Sequence, residues 1–305
     1  MKKFIAFALA LVLMLATMQL KSNNGTDVIA AAPLADASNF VGNPTIRSRL
    51  AKAFTAYQPG TDYFTKNGKA CTCHGAGKCV ENGSACNCLR YPVIDGKTVD
   101  LLAVQCFGYA RYMQYMLFGS HDGNDTTNFY QLPGTNIAPN EDVIRKWFVK
   151  YRSVLHTGTH IRIQSGHSIS LLKLDVTNEM VYFVECNRDG ANQGYCKVDD
   201  IRAYTFSDFY KNFHGIAYAT VYKFYYSKFP EPPVTMEFVE NGEKVTASCG
   251  KTIVLPECKA AKDGQTFKGW KCGKAVLQPG EKLYVGVDVL GGTYSAKITA
   301  VYEPA

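Results

Sequence analysis

Cys106, His167, Glu185 and Asn187 are the residues of this chain whose types and order suit covalent chemistry at a carbonyl carbon. A cysteine attacks as its thiolate, so it needs a base to take the proton and a further group to orient that base. In Gln105-Cys106-Phe107-Gly108-Tyr109-Ala110 the thiol falls in the first turns of an apolar stretch with helical spacing. Unpaired N–H groups at a helix start favour negative charge there and so lower a thiol pKa. Six histidines are candidates for the base: His74, His121, His156, His160, His167 and His214. His167 is the best placed, because it follows Gly166 and opens the strand-like Ser168-Ile169-Ser170-Leu171-Leu172, a rigid element from which a ring can be aimed. His156 and His160 are four apart, but Thr157-Gly158-Thr159 between them argues against a helical metal pair. Glu185 and Asn187 close the next strand two residues apart, on one face by the period-two rule, where either can accept from the second imidazole nitrogen. Singly, each has a bland structural role available, as a buried thiol, a satisfied histidine, a solvated acid or a turn residue before Arg188-Asp189-Gly190. The joint order is what carries the chemistry.

The elements that would position these groups are legible as periodicity. Ile46, Leu50 and Phe54 predict a helix over 43–57. Phe107, Ala110, Met113 and Leu117 predict a second over 101–117, stopped by Gly119, and 141–151 reads as a third. Beyond His156 the rhythm changes to alternation, with strands around Ile161–Ile163, Ser168–Leu172 and Met180–Val184, a turn over 175–179, and another strand over 217–226. Helices together with an antiparallel sheet make the fold class α+β.

Gln105-Cys106 opening a helix, Gly166-His167 opening a strand and Glu185-x-Asn187 ending the following strand resemble the CHAP family of cysteine amidohydrolases and peptidases, within the papain-like and NlpC/P60 superfamily. The resemblance covers about 100–215. It implies a papain-like fold with Cys106 as nucleophile, His167 as base, Glu185 as orienting acid, Asn187 as a fourth polar member and Gln105 as the residue preceding the nucleophile. No cofactor is implied, and the expected substrate is an amide bond, in bacterial cell-wall peptidoglycan or another peptide. Two rival classes remain: a non-catalytic surface binding protein on a papain-like scaffold, and a transglutaminase-type acyl transferase, which also uses Cys, His and an acid in that order.

Composition and leader narrow the setting. The chain has 305 residues, 47% hydrophobic and 19% charged, with a formal net charge of +7 and no long basic run, so nucleic acid is not an expected partner. Lys2 and Lys3 precede an apolar run, Phe4 to Met18, shorter than the roughly 20 residues of a bilayer span. That pattern predicts a signal peptide within 1–37, and hence a secreted or cell-surface location. Eleven cysteines in an exported chain suggest disulfides, and the odd total leaves one over, with Cys106 the isolated one by position. Cys186 and Cys196 flank a Gly-containing loop and could close it. In the insert 71–88, Cys71, Cys73, His74, Cys79, Cys86 and Cys88 admit a structural zinc site or a disulfide-pinned loop; Cys-x-Cys spacing and export favour disulfides.

Phe229-Pro230-Glu231-Pro232-Pro233 marks a boundary, since three prolines stiffen the chain and break a helix or central strand. The divisions read from sequence are therefore a signal peptide over 1–37, a hydrolase domain over 38–229 and a small β domain over 234–305. In the last of these, Gly250-Lys251-Thr252-Ile253-Val254-Leu255-Pro256, Thr266-Phe267-Lys268-Gly269-Trp270 and Ile298-Thr299-Ala300-Val301-Tyr302 resemble the Listeria–Bacteroides repeat, also called the internalin B-repeat. That resemblance implies a β-grasp-like module holding the protein to a bacterial cell surface.

Overall fold

The structure, a computed structural model, describes residues 27–28, 37–60, 74–75, 78–81, 84–85, 90–135, 139–188, 197–286 and 294–305. The expected signal peptide lies outside the described residues but for Asp27–Val28 and Ala37. So do Cys196 and the side chains of Cys71, Cys73, His74, Cys79, Cys86 and Cys88, the disulfide or zinc candidates.

The chain is α+β. Among the described residues the α-helices are α1 (Pro44–Ala56), α2 (Gln105–Phe118), α3 (Glu141–Tyr151), α4 (Phe206–Phe213) and the short α5 (Tyr225–Lys228). The main sheet is built from β1 (Phe129–Pro133), β2 (His160–Ile163), β3 (Ser168–Asp175), β4 (Met180–Glu185), β5 (Arg202–Thr205) and β6 (Ile216–Tyr222), with Asp27–Val28 along one edge. Its spatial order from that edge is β5, β4, β3, β2, β6, β1, and all neighbours are antiparallel. β3 and β4 meet through the expected turn over 175–179, and β3 is central.

Every residue of β3 is buried. The reason is that both faces of the sheet are covered. On one face Ile46, Leu50 and Phe54 of α1 and Tyr109, Tyr112 and Met113 of α2 pack with Leu172 and Val184. On the other, Ile144, Trp147 and Phe148 of α3 and Phe206, Phe209 and Phe213 of α4 pack with Ile169, Leu171 and Phe183. Within β3, Ile169, Leu171 and Leu174 feed one core and Leu172 the other, the alternation breaking at the irregularity where Tyr182 pairs with Lys173 and Phe183 with Leu171.

Two boundaries differ from the periodicity reading. The second helix begins at Gln105 rather than Leu101, because Leu102 takes a left-handed φ of 53° that a helix interior does not admit, and Gln105 itself enters the helix at φ 54°. It ends as expected, with Gly119 in the left-handed conformation donating to Tyr115 O. The strand expected over 217–226 stops at Tyr222, and Tyr225–Lys228 turns into α5.

Residues 234–305 form their own sheets around their own core. β7 (Val234–Phe238), β8 (Glu243–Ala247), β10 (Gln265–Cys272), β11 (Ala275–Leu277) and β13 (Ser295–Pro304) make one sheet, in which β7 and β13 run parallel. β9 (Lys251–Val254) pairs with β12 (Lys282–Val285). Trp270, fully buried, centres this core with Phe238 edge-on and its Nε1 donating to Pro256 O. Cys258 and Cys272 sit in it as thiols, and burial pushes Cys272 up to about 11. No disulfide links two of the described cysteines.

The proline-rich connection is anchored rather than loose. The buried Glu231 accepts hydrogen bonds at Oε2 from Gly42 N (2.9 Å), Asn43 N (2.8 Å) and Tyr294 Oη (2.7 Å), and at Oε1 from Tyr225 Oη (3.1 Å). Asn43 is also the N-cap of α1, accepting from Thr45 N and Ile46 N. A second contact joins the units where Lys274 N donates to Thr177 O at 3.0 Å.

Candidate active site

Cys106 stands in the first turn of α2, whose N-cap, Val104, offers no side-chain cap. Amides of that turn therefore receive no acceptor from the N-cap side chain. The approach to the helix is held by Arg111, whose Nη1 donates to Leu101 O (3.1 Å) and Leu102 O (2.9 Å), and by Asp100, which accepts from Leu102 N (2.8 Å). These contacts secure the left-handed Leu102, a conformation that would cost about 1–3 kcal/mol unsupported.

Gly166, at φ 90°, turns the chain so that His167 enters at the head of β3. His167 Nε2 meets Glu185 Oε2 at 2.6 Å, which leaves the other ring nitrogen for Cys106, with which the ring shares a hydrogen bond. The imidazole stacks on Phe213, with ring centroids 6.2 Å apart. Burial alone would raise the thiol pKa. The hydrogen bond and charge of His167, the Ser168 backbone N–H and the charge of Arg162 outweigh it, so Cys106 titrates below an ordinary thiol. For His167 burial pulls down, while its bonds to Cys106 and Glu185 and their charges push it up to about 9. Both shifts favour the thiolate and imidazolium forms of the pair.

Glu185, at the end of β4, has no exposed side-chain surface. Its Oε1 makes no hydrogen bond but faces Arg202 Nε at 3.6 Å and Arg188 Nη1 at 3.8 Å. Arg188 lies over the ring of Phe213 at 4.4 Å and reaches Asn212 Oδ1 with Nη2 at 2.9 Å. Two guanidiniums and an imidazole thus surround one buried carboxylate.

Three of the expected residues are thus together: Cys106, His167 and Glu185. Gln105 adjoins them in a left-handed backbone conformation. Asn187 lies beyond the end of β4 with φ 70°, its N–H donating to Lys197 O at 2.7 Å, and among the described residues its side chain bonds to none of the three. The period-two expectation for Glu185 and Asn187 stops holding where the strand stops.

The remaining histidines take other roles. His156 is buried and stacked on Tyr225 at 4.0 Å, and burial lowers it to about 4. His121 Nδ1 accepts from Gly123 N, and its Nε2 faces Asp100 O at 3.0 Å. His214 caps the end of α4 in a left-handed turn.

His160 belongs to a second polar chain that periodicity does not reveal. Arg162 Nη1 donates to Ser168 Oγ (2.9 Å), and Ser168 Oγ faces His160 Nε2 (3.0 Å). His160 Nδ1 faces Asp122 Oδ2 (2.9 Å). Asp122 also accepts from Thr220 Oγ1 and pairs with Arg111 at 2.6 Å. With Arg162 as donor at one end and a carboxylate at the other, the hydrogen bonds run one way: Arg162 to Ser168, Ser168 to His160, His160 to Asp122. Ser168 and His160 are completely buried, so this Ser–His–Asp alignment is sealed from substrate. Its connection to the site is direct, because the same Ser168 supplies the N–H that reaches Cys106. The only sequence signal for it was Ser168 following His167.

Comparison of the chain with protein-family profiles, with curated proteins and with solved structures finds no match.

Proposed function

We propose that this chain is an exported cysteine amidohydrolase or peptidase of papain-like, CHAP-type architecture, acting on amide bonds of a peptide such as those of cell-wall peptidoglycan. The observation that carries the reading is that the His167 ring joins Cys106 on one side and Glu185 on the other. The Cys106 thiolate attacks the amide carbonyl carbon. The resulting oxyanion is placed to meet the uncapped amides at the start of α2. His167 gives its proton to the leaving amine as the C–N bond breaks, leaving a thioester on Cys106. His167 then takes a proton from water, hydroxide adds to the thioester, and the acid product leaves as the thiolate and imidazolium return. Glu185 holds the ring in one orientation through both halves. A nucleophile helix packed on an antiparallel sheet that carries the base supports the papain-like reading. The separate sheets and core of 234–305 support a surface-retention module of the Listeria–Bacteroides type.

The test is turnover of peptide amides by the full chain beside Cys106→Ala. Release of a new carboxylate by the first and not the second supports hydrolysis. Incorporation of an added amine in preference to water identifies an acyl transferase, and absence of turnover on peptides and peptidoglycan fragments leaves a binding protein.

A further inference from the structure

Four arginines surround the catalytic groups, and three of them face carboxylates. Arg111 pairs with Asp122, and Arg188 and Arg202 with Glu185. Arg162 has no carboxylate within 4 Å among the described residues. It is the one residue of β2 that is not fully covered. Its position is nonetheless fixed. Nη1 is spent on Ser168 Oγ, itself held through His160 by Asp122, and Cζ lies 5.0 Å from the ring centroid of Phe107, the residue after the nucleophile. Nη2 lies 3.7 Å from where a Cβ on Gly166 would stand, so the glycine before His167 keeps that edge of the guanidinium uncovered. The charge acts on the nucleophile, being one of the influences that lower the Cys106 pKa.

We propose that Arg162 is a specificity-determining residue that binds a substrate carboxylate flanking the scissile amide. An arginine held by one nitrogen on a buried hydroxyl, with its far edge uncovered, presents a pre-aligned donor pair to a planar anion, and its ordering is completed before the ligand arrives. A thiolate also repels an anionic substrate, and a fixed cation beside it offsets that repulsion. The substrate class this selects is an acidic peptide amide, with a carboxylate next to the bond that is cut. The inference deepens the hydrolase reading and rests on it for the word substrate, but the anion site can be read without turnover.

Two measurements on the full chain separate the two claims. The first compares alkylation of Cys106 by iodoacetate and by iodoacetamide, each normalised to a free thiol and mapped to Cys106. The wild type should favour the anionic reagent by about tenfold, the preference should shrink as salt is added, and Arg162→Gln should remove it while Arg162→Lys keeps part. The second compares hydrolysis of paired peptide amides that differ only in carboxylate against carboxamide beside the scissile bond, read as a ratio of kcat/KM so that a change in thiolate fraction cancels. The ratio should favour the carboxylate by about tenfold or more and fall toward one in Arg162→Gln. A reagent preference that depends on Arg162, with neither peptide cleaved, keeps the anion site and defeats the hydrolase reading. Cleavage with no carboxylate preference, or a reagent preference that Arg162→Gln leaves intact, overturns the anion site and keeps the hydrolase. Should Arg162→Gln not fold, the wild-type ratios decide, and ratios equal to those of a free thiol and of neutral peptides overturn it.

Discussion

His167 Nε2 lies 2.6 Å from Glu185 Oε2, and that contact assigns the two faces of the imidazole: one nitrogen to the buried acid, the other to the thiol. The direction of the ring is thereby set by a carboxylate with no exposed side-chain surface of its own, so removing the carboxylate affects both chemistry and folding.

Cys106→Ala should abolish amide turnover, His167→Ala should lower it by several orders, and Glu185→Gln should lower it by about 10²- to 10⁴-fold. Glu185→Gln should also destabilise, because Arg188 and the nearly buried Arg202 lose the carboxylate that they share. Breaking a buried pair costs about 3–5 kcal/mol. Kinetics and urea melts on the three variants check this. A Glu185→Gln chain as stable as the wild type would show that the two arginines lie too far out to matter.

The pH profile follows from the shifted pair. Cys106 loses its proton below the ordinary thiol range, and His167 holds its proton up to about 9. Turnover should therefore rise as the thiolate forms and fall again near pH 9 as His167 deprotonates. His167 is raised above its unfolded value, so its contribution to stability is complete below about pH 6.5 and is lost as pH rises through about 9. Alkylation rate against pH measures the thiolate directly, and in His167→Ala its midpoint should move up. An unmoved midpoint would place the depression on Ser168 N–H and Arg162 instead.

The sealed chain behind the site should be separable from the chemistry. Ser168→Ala keeps the backbone N–H to Cys106 but frees Arg162, so thiolate formation should persist while any preference for anionic reagents weakens. Asp122→Asn should unfold more readily, since it leaves Arg111 and His160 without their carboxylate, at a cost of about 3–5 kcal/mol. Asp122 is depressed below the usual carboxylate range, burial being outweighed by His160, Thr220 and Arg111. Its contribution is present above the unfolded carboxylate pKa and disappears as pH falls through the depressed value. Acid melts of the wild type and Asp122→Asn, converging at low pH, are the expected outcome.

Ending the chain at Pro233 should be tolerated better than ending it at Phe229. Both versions lose the tail, but only the shorter loses Glu231, leaving Gly42 N, Asn43 N and Tyr225 Oη without their acceptor. Each buried donor left unpaired costs about 1–3 kcal/mol. Equal melting temperatures for the two would mean that water replaces the carboxylate.

Local patterns carried much of this in advance. Glu141–Tyr151 reads directly from sequence, as do the turn at 175–179 and the end of α2 at Gly119, because each depends on neighbours along the chain. Cys106, His167 and Glu185 were legible from order alone. The start of α2 was not, since Leu102 is held left-handed by Arg111 and Asp100 rather than by any local propensity. Nor was the Asp122–His160–Ser168 chain, whose members come from a loop, β2 and β3 and meet only when the sheet forms. Asn187 shows the limit of periodicity from the other side: the rule was sound for a strand, and the strand ended first.

Glu231 gives the molecule a mechanical character. Four hydrogen bonds converge on one carboxylate from the start of α1, from α5 and from Tyr294, just ahead of the last strand of the tail. A tail gripped by a surface would transmit tension through that knot into the N-cap of α1, and across to α2 where Tyr112 Oη meets Ala53 O. The connection behaves as a rivet rather than a tether, so a pull that spared the prolines would be felt first at the helix that braces the nucleophile.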